Sequence, residues 1–190
     1  FAIWKGRSDV PHIERIDLDA AGSVGIAIDA DGVLLQDVSP APGWTVRTQA
    51  PKPTFLRRRV RPDRYALVVL ERTGPNGAEE REMEVGQLDD GSWELAVRRQ
   101  GPCPPSGLIT TPGGSVTAPP TPPPAGASSA PVVSVEPADG WVVRSREEGP
   151  DDVVVVFASG AEEWEVVVLL DEEGPSVVDI DHRRQLGHLT

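Results

Sequence analysis

The chain has little of what most enzymes use. It has one cysteine, one methionine and three histidines in 190 residues, and aromatic side chains make up 5% of it. A lone cysteine excludes an internal disulfide. None of the histidines adjoins a plausible nucleophile or forms an HExxH pair, the arrangements that serine-type and metal-dependent hydrolysis need. We therefore expect no enzyme, and neither catalytic residues, metal nor cofactor.

Long apolar runs and excess positive charge are also missing. The longest apolar stretches fall well short of the 18 residues that a membrane helix requires. The net charge of −12 argues against nucleic-acid binding, which needs a basic face. At the start of the chain, apolar residues give way to Trp4, Lys5 and Arg7, as at the end of a membrane helix. This predicts a membrane anchor upstream of residue 1, although such cations favour the cytoplasmic side.

What the chain does contain is a sequence repeat. Residues 38–48 match residues 135–145 at seven of eleven positions, and residues 77–85 match residues 160–168 at six of nine. The first pair of matches is 97 positions apart and the second is 83 apart, so the first copy carries about 14 extra residues. The repeat predicts an internal duplication.

Alternating apolar residues predict strands throughout. In the first copy we expect seven strands, at 13–19, 23–29, 33–38, 44–48, 65–72, 81–88 and 93–99. In the second copy five strands are expected, at 132–136, 141–147, 152–158, 162–170 and 176–181, which leaves open sheet edges. Apolar residues do not recur at helical spacing, so helical content should be very low.

The domain organisation follows from these patterns. Residues 101–130 contain nine prolines among Gly, Ser, Thr and Ala, and this composition predicts an extended spacer. We expect an entry segment at 1–11, a first repeat at 12–100, the linker at 101–130, a second repeat at 131–183 and a tail at 184–190. The fold class is all-β, with two tandem antiparallel β-sandwich domains of immunoglobulin-like character.

The extra residues of the first copy form the only strongly basic segment of an acidic chain. They include Arg57, Arg58, Arg59, Arg61 and Arg64. These arginines are the predicted partner-contact residues, facing either the acidic turns of the second copy, an anionic membrane surface or another protein. The alternative is a solvated loop.

The tryptophans and the acidic turns each allow two interpretations. Trp44 and Trp141 occupy equivalent repeat positions and fit core anchors better than ligand-stacking residues, whereas Trp93 and Trp164 fit an interface between the copies. His182 and His188, together with Asp179 and Asp181, would suit a surface metal site. The alternative interpretation is a solvated tail. Asp29 and Asp31 are spaced like the first two ligands of a calcium-binding loop, but the later ligands do not follow at the required spacing. A hairpin turn explains these residues better.

Two groups of residues carry a family resemblance. In the first copy they are residues 22–24 and 32–46, and in the second copy residues 137–143 and 152–157. This pattern resembles extracytoplasmic β domains of actinobacterial single-pass membrane proteins, including anti-sigma-factor-like regulators. Helices that bind a sigma factor have no counterpart in these residues.

The resemblance implies a non-enzymatic ectodomain outside the cytoplasmic membrane. Such a domain senses or scaffolds by binding another protein or a cell-envelope component. The rival prediction is a structural subunit of a surface filament or envelope assembly, in which strands added between subunits fill the open edges of the second copy. A carbohydrate-binding module would need exposed aromatic rings at Trp44, Trp141 or Trp164.

Overall fold

The computed structural model is an all-β structure in two halves. It describes residues 11–29, 32–48, 60–74, 77–118, 134–149, 152–170 and 176–189, with the backbone alone at 48 and 60–63. Half 1 contains the strands β1 His12–Asp17, β2 Gly22–Asp29, β3 Gly32–Pro40, β4 Thr45–Thr48, β5 Val60–Gly74, β6 Gly77–Leu88 and β7 Trp93–Pro102. Half 2 contains β8 Leu108–Thr111, β9 Gly114–Thr117, β10 Ser134–Pro137, β11 Val142–Glu148, β12 Asp152–Ser159, β13 Glu162–Leu169 and β14 Val177–Gly187.

These strands form three antiparallel sheets. Strands β1, β2 and β3 make one three-stranded sheet, and β8, β9 and β10 make another. The remaining eight strands form one continuous sheet in the order β11-β12-β13-β14-β7-β6-β5-β4. Helix in the described ranges is limited to a 3-10 turn at Asp19–Ala21. No helix there has the length and apolar character to cross a membrane.

Each half buries its own core between its three-stranded sheet and one face of the eight-stranded sheet, here called the front face. In half 1, Val24 and Ile26 of β2 pack toward Val68, Met83 and Trp93. In half 2, Ile109 and Val116 pack toward Val155, Phe157 and Val166. Because side chains alternate along a strand, the residues between these lie on the opposite, back face.

The repeated sequences have the same local geometry. Gly22 and Gly114 both have positive φ where a strand begins beside the end of its neighbour. The Ala41 amide donates to the Ala21 carbonyl at 2.8 Å, and the Ala138 amide donates to the Gly113 carbonyl at 3.0 Å. β4 and β11 each carry a register shift two residues after the tryptophan that precedes them, between Val46 and Thr48 and between Val143 and Ser145.

The predicted all-β antiparallel structure is confirmed, and the seven strands of the first copy lie where the pattern places them. The predicted linker is wrong over residues 101–118. There β7 extends to Pro102, and β8 and β9 follow, because short strands of Leu, Ile, Val and Thr are apolar enough to cover the second core despite neighbouring prolines. The described residues of half 2 therefore form seven strands, not five. Residues 119–133 lie outside the described residues.

Two further expectations need correction. The predicted tail at 184–190 is wrong as far as Gly187, because β14 continues to that residue beside β7. The halves are also not separate sandwiches, since β7 and β14 join them in one sheet. An immunoglobulin-like sandwich needs Greek-key connections, whereas the described pairings within each half join only strands that are neighbours in the chain.

Most tryptophans serve the cores. Trp44 and Trp93 are buried in half 1, and Trp141 is half-buried against the core of half 2. Arg72 and Arg81 lie over the Trp44 ring at 4.8 and 5.3 Å from its centroid. The core interpretation of the paired tryptophans is therefore the one the structure supports. Cys103 is buried in half 2, and burial raises the pKa of its thiol.

We predict that Gly22→Ala destabilises the protein by roughly 3 kcal/mol in urea denaturation. An added Cβ there would lie 2.8 Å from the Ala41 amide nitrogen and would also contact the Ser39 carbonyl, at a φ of 121°. Gly43→Ala is the matched control, because its φ of 85° is also positive but nothing lies within 4 Å of the added atom. The control should lose only about 1 kcal/mol. Equal losses would contradict the packing argument.

Candidate functional site at the junction of the two halves

The junction between the halves is the antiparallel pairing of β7 with β14. Its ladder runs from the pair Pro102 and Val177 to the pair Trp93 and Gly187. Residues 77–85 and 160–168 match at a separation of 83 positions. At that separation Arg98 corresponds to Asp181, and these two residues are direct partners in the ladder. Corresponding positions of the two repeats are therefore paired across the junction, and the residues at these positions, Arg98 and Asp181, have opposite charges.

On the back face, Arg98 forms an ion pair across this junction. Its Nε donates to both carboxylate oxygens of Asp179, at 2.7 and 2.8 Å, and its terminal nitrogen donates to the same carboxylate. The hydrogen bonds to Asp179 raise the pKa of Arg98 despite partial burial. Because Arg98 is on β7 and Asp179 on β14, this bidentate ion pair ties the two halves together.

On the front side, a groove runs between the two three-stranded sheets. Arg99 crosses it, donating to a carboxylate oxygen of Asp19 at 3.1 Å in half 1 and to the Thr110 carbonyl at 2.9 Å in half 2. Part of the groove forms a cavity of about 220 Å³, lined by residues of both halves such as Ile16, Arg99 and Trp164. Arg184 of β14 donates to the Glu14 carboxylate across the same space. The hydrogen bonds from Arg184 and His12 lower the pKa of Glu14 although burial opposes the shift.

An aromatic stack lies on the floor of this groove. The Trp164 ring and the His182 ring are parallel within 8°, with centroids 4.2 Å apart. Burial lowers the pKa of His182, and the Glu162 carboxylate 3.8 Å from its Nε2 opposes this only partly. Trp164 is half-buried at the interface between the halves, where its sequence position predicts it, whereas Trp93, for which the same was predicted, is buried in the core of half 1.

A second cavity of about 470 Å³ opens on the back face of half 2. Its floor is formed by Val154 and Val156 of β12. Its charged lining consists of Arg144, Glu147, Glu163, Glu165, Asp181 and Arg183. Arg144 donates to the Glu163 carboxylate, and Arg183 donates to the Asp181 carboxylate at 3.1 Å. The lining therefore has four carboxylates and two guanidinium groups on an apolar floor.

Asp181 is the most unusual residue of this back-face cavity. The residue is 9% exposed, and its Oδ1 accepts no hydrogen bond within the described part of the chain. Burial, followed by repulsion from Asp179, raises the pKa of Asp181 to about 6. Near neutral pH the carboxylate is therefore ionised in surroundings that penalise its charge.

The same face of half 1 is closed. Its residues Leu67, Val69, Glu82, Glu84 and Ala96 are all buried, with Glu84 fully so. The corresponding residues of half 2 are Val154, Val156, Glu165, Val167 and Asp179, which are only half-buried. One sheet thus has a covered back face in one half and an accessible one in the other.

The predicted contact residues lie mostly beyond the described residues. Arg57, Arg58 and Arg59 fall outside them, and Arg61 is described by its backbone alone. Arg64 is half-buried in β5. The alternative metal site is not assembled, because Asp179 and Asp181 are on the back face while His182 is on the front. No group of three or more His, Cys, Asp or Glu side chains in the described ranges is arranged to hold a metal ion.

Sequence reasoning did not identify the back-face cavity. Its residues come from β11, β12, β13 and β14 and are spread over 40 positions, so no local motif marks them. The available signal was alternation, since Glu163 and Glu165 share a face of one strand, as do Asp179 and Asp181 of another. Comparisons of the chain with protein-family models, with curated proteins and with solved structures found no match.

We predict that Asp181→Asn makes the protein more stable above pH 6, by about 1–2 kcal/mol in urea denaturation at pH 8. A carboxyl group with a raised pKa in the folded state stabilises fully below the ordinary value of 3.8, and this contribution is lost as the pH rises through about 6. Asparagine is neutral throughout, so its advantage should disappear at pH 4.

Asp179→Asn is the matched control on the same strand. This carboxylate accepts three hydrogen bonds from Arg98, so the substitution should cost about 1–3 kcal/mol at pH 8. An Asp181→Asn protein less stable than the parent at pH 8 would refute the assignment of Asp181 as an unfavourably buried charge.

Proposed function

We propose that the chain is a non-enzymatic binding module whose recognition surface is the open back face of half 2. The observation that carries this proposal is the contrast between two corresponding faces of one sheet, buried in half 1 and accessible in half 2. An accessible face with an apolar floor and charged rim has the composition of a protein-binding surface.

The arrangement of charge supports binding over catalysis. The carboxylates of the back-face cavity are distributed over β11, β13 and β14, and arginines alternate with them. Arg144 pairs with Glu163 and Arg183 pairs with Asp181. Pairs of this kind orient a partner and exclude others, which is the usual role of charge at an interface.

The proposed origin of this module is a tandem duplication. In support, the described residues of both halves form seven strands in the same order, with a glycine at the start of the second strand and the same irregularity after the tryptophan. Fusion of two such units through β7 and β14 leaves the two halves free to differ on their back faces.

The proposed setting is outside the cytoplasmic membrane. Support for it comes from the sequence alone, through the resemblance to extracytoplasmic β domains of actinobacterial single-pass proteins. In that setting the partner is another protein or an envelope component, and binding serves sensing or scaffolding.

A structural subunit of a filament is the second candidate, favoured by the exposure of edge strand β11. All seven residues of Val142–Glu148 are exposed, including Val142 and Val143. The strand also carries a register shift and the charged residues Arg144, Arg146, Glu147 and Glu148, which are devices that prevent strand addition. These features oppose the pairing of β11 with a strand of another subunit, so they argue against polymerisation through this edge.

We predict a monomer at all concentrations when the absolute mass of the purified chain is measured by light scattering over a dilution series. A mass that grows with concentration would favour the filament subunit. In that case Val143→Lys on the edge strand should restore the monomer, whereas Leu34→Lys, on the exposed surface of half 1, should not.

A further inference from the structure

We propose that the back-face cavity of half 2 is the docking site for an extended segment of a partner protein in which arginine or lysine side chains neighbour apolar ones. This inference rests on the binding function proposed above and specifies the chemistry of its partner. The cations would meet the carboxylates at the rim, and the apolar side chains would cover the valine floor.

The charge balance of the two halves points to a cationic partner. Between Gln49 and Arg64 the sequence of half 1 contains six basic residues, which are Lys52, Arg57, Arg58, Arg59, Arg61 and Arg64. Between β11 and β12 the sequence of half 2 contains only Gly149, Pro150 and Asp151. The back-face cavity of half 2 has four carboxylates and only two guanidinium groups, so a cationic partner would balance the remaining negative charge.

Asp181 supplies a second, independent indication. Its Oδ2 accepts a hydrogen bond from Arg183 at 3.1 Å, whereas its Oδ1 accepts none within the described residues and lies 3.9 Å from the Arg98 Nε. An ionised carboxylate with an unmade hydrogen bond destabilises the free protein. A guanidinium or ammonium group entering the cavity would place an opposite charge beside this carboxylate, which lines the cavity.

The floor explains why the segment should be extended and partly apolar. Val154 and Val156 are adjacent on one face of β12, and the next strand, β13, places Val167 and Glu165 opposite them, with Glu163 further along the same face. Apolar and acidic positions therefore lie side by side on this face, at the spacing of a strand. An extended peptide presents its own side chains at that same spacing, whereas a lone small cation would leave the valines uncovered.

The test uses the full chain and a fluorescently labelled peptide with the sequence of residues 51–60, which combines Phe55 and Leu56 with four basic residues. A second peptide has glutamine in place of the four basic residues. Fluorescence anisotropy at pH 7.5 and low salt should show binding of the basic peptide. The neutral peptide should bind at least about tenfold more weakly, equivalent to the loss of one charge-assisted pair.

The location is tested with two double variants that remove the same charge. Asp181→Asn with Glu165→Gln alters the cavity and should weaken the basic peptide at least about tenfold. Glu136→Gln with Asp139→Asn alters exposed carboxylates away from the cavity and should change the affinity less than about twofold. Unchanged affinity in the cavity variant overturns the proposal.

Other outcomes separate this proposal from the binding function beneath it. If both peptides bind equally and Val156→Lys abolishes binding, the cationic partner is wrong while the open face remains a binding surface. If neither peptide binds at about 1 mM, the proposal is overturned and the binding function loses its support from this face.

The pH dependence gives a further check. Asp181 is faced by Arg98 from β7, by Glu165 from β13, and by Asp179 and Arg183 on its own strand. Protonation near pH 6 removes its attraction for a cation, so the affinity should fall severalfold between pH 7.5 and pH 5. Asp181→Asn should bind weakly at both values. A parent protein whose affinity rises at pH 5 would overturn the role of Asp181.

Discussion

Backbone pairing between β7 and β14 determines the rest of this structure. Neither half could close its sheet along these strands alone, because each would leave a long edge of unpaired amide and carbonyl groups exposed. Pairing the two edges satisfies both and gives a continuous eight-stranded sheet with one core on either side of the junction. Arg98 and Arg99, adjacent in the chain, then point to opposite faces and bind half 2 on the back and on the front. The junction is thus held by a ladder of main-chain hydrogen bonds, with charged side chains reinforcing each face.

The junction also creates the two candidate surfaces. On the front, two three-stranded sheets stand side by side over a common floor, and the groove between them exists only because that floor is shared. On the back, the proposed recognition face occupies half 2 and borders the junction through Asp181. The free protein bears the cost of a buried, ionised carboxylate at that border. Retaining such a group at an accessible cavity fits a binding role, since functional sites commonly trade stability for recognition.

Sequence reasoning reached the elements of half 1 because its strands alternate clearly and its turns are marked by Asp-Gly and Pro-Gly pairs. It failed over residues 101–118, where proline-rich composition masked two short strands whose apolar side chains cover the second core. It also treated 184–190 as a tail, because charged residues such as Arg183 and Arg184 look solvated in sequence while their backbone pairs with β7. The echo of residues 22–24 in residues 114–116 was the available sign that half 2 was complete.

By itself the sequence determined the all-β class, the repeat and the separate apolar cores, because alternation and repeated turn motifs are local properties. Only the tertiary structure decided that the two repeats share one sheet, that Arg98 opposes Asp181, and that half 2 keeps an open back face. The physical reason is that strand edges are chemically alike: main-chain hydrogen bonds carry no sequence label, so the choice of partner depends on which edges remain after each half has folded. Likewise, the burial that raises the pKa of Asp181 comes from strands distant in the chain, and no local pattern encodes it.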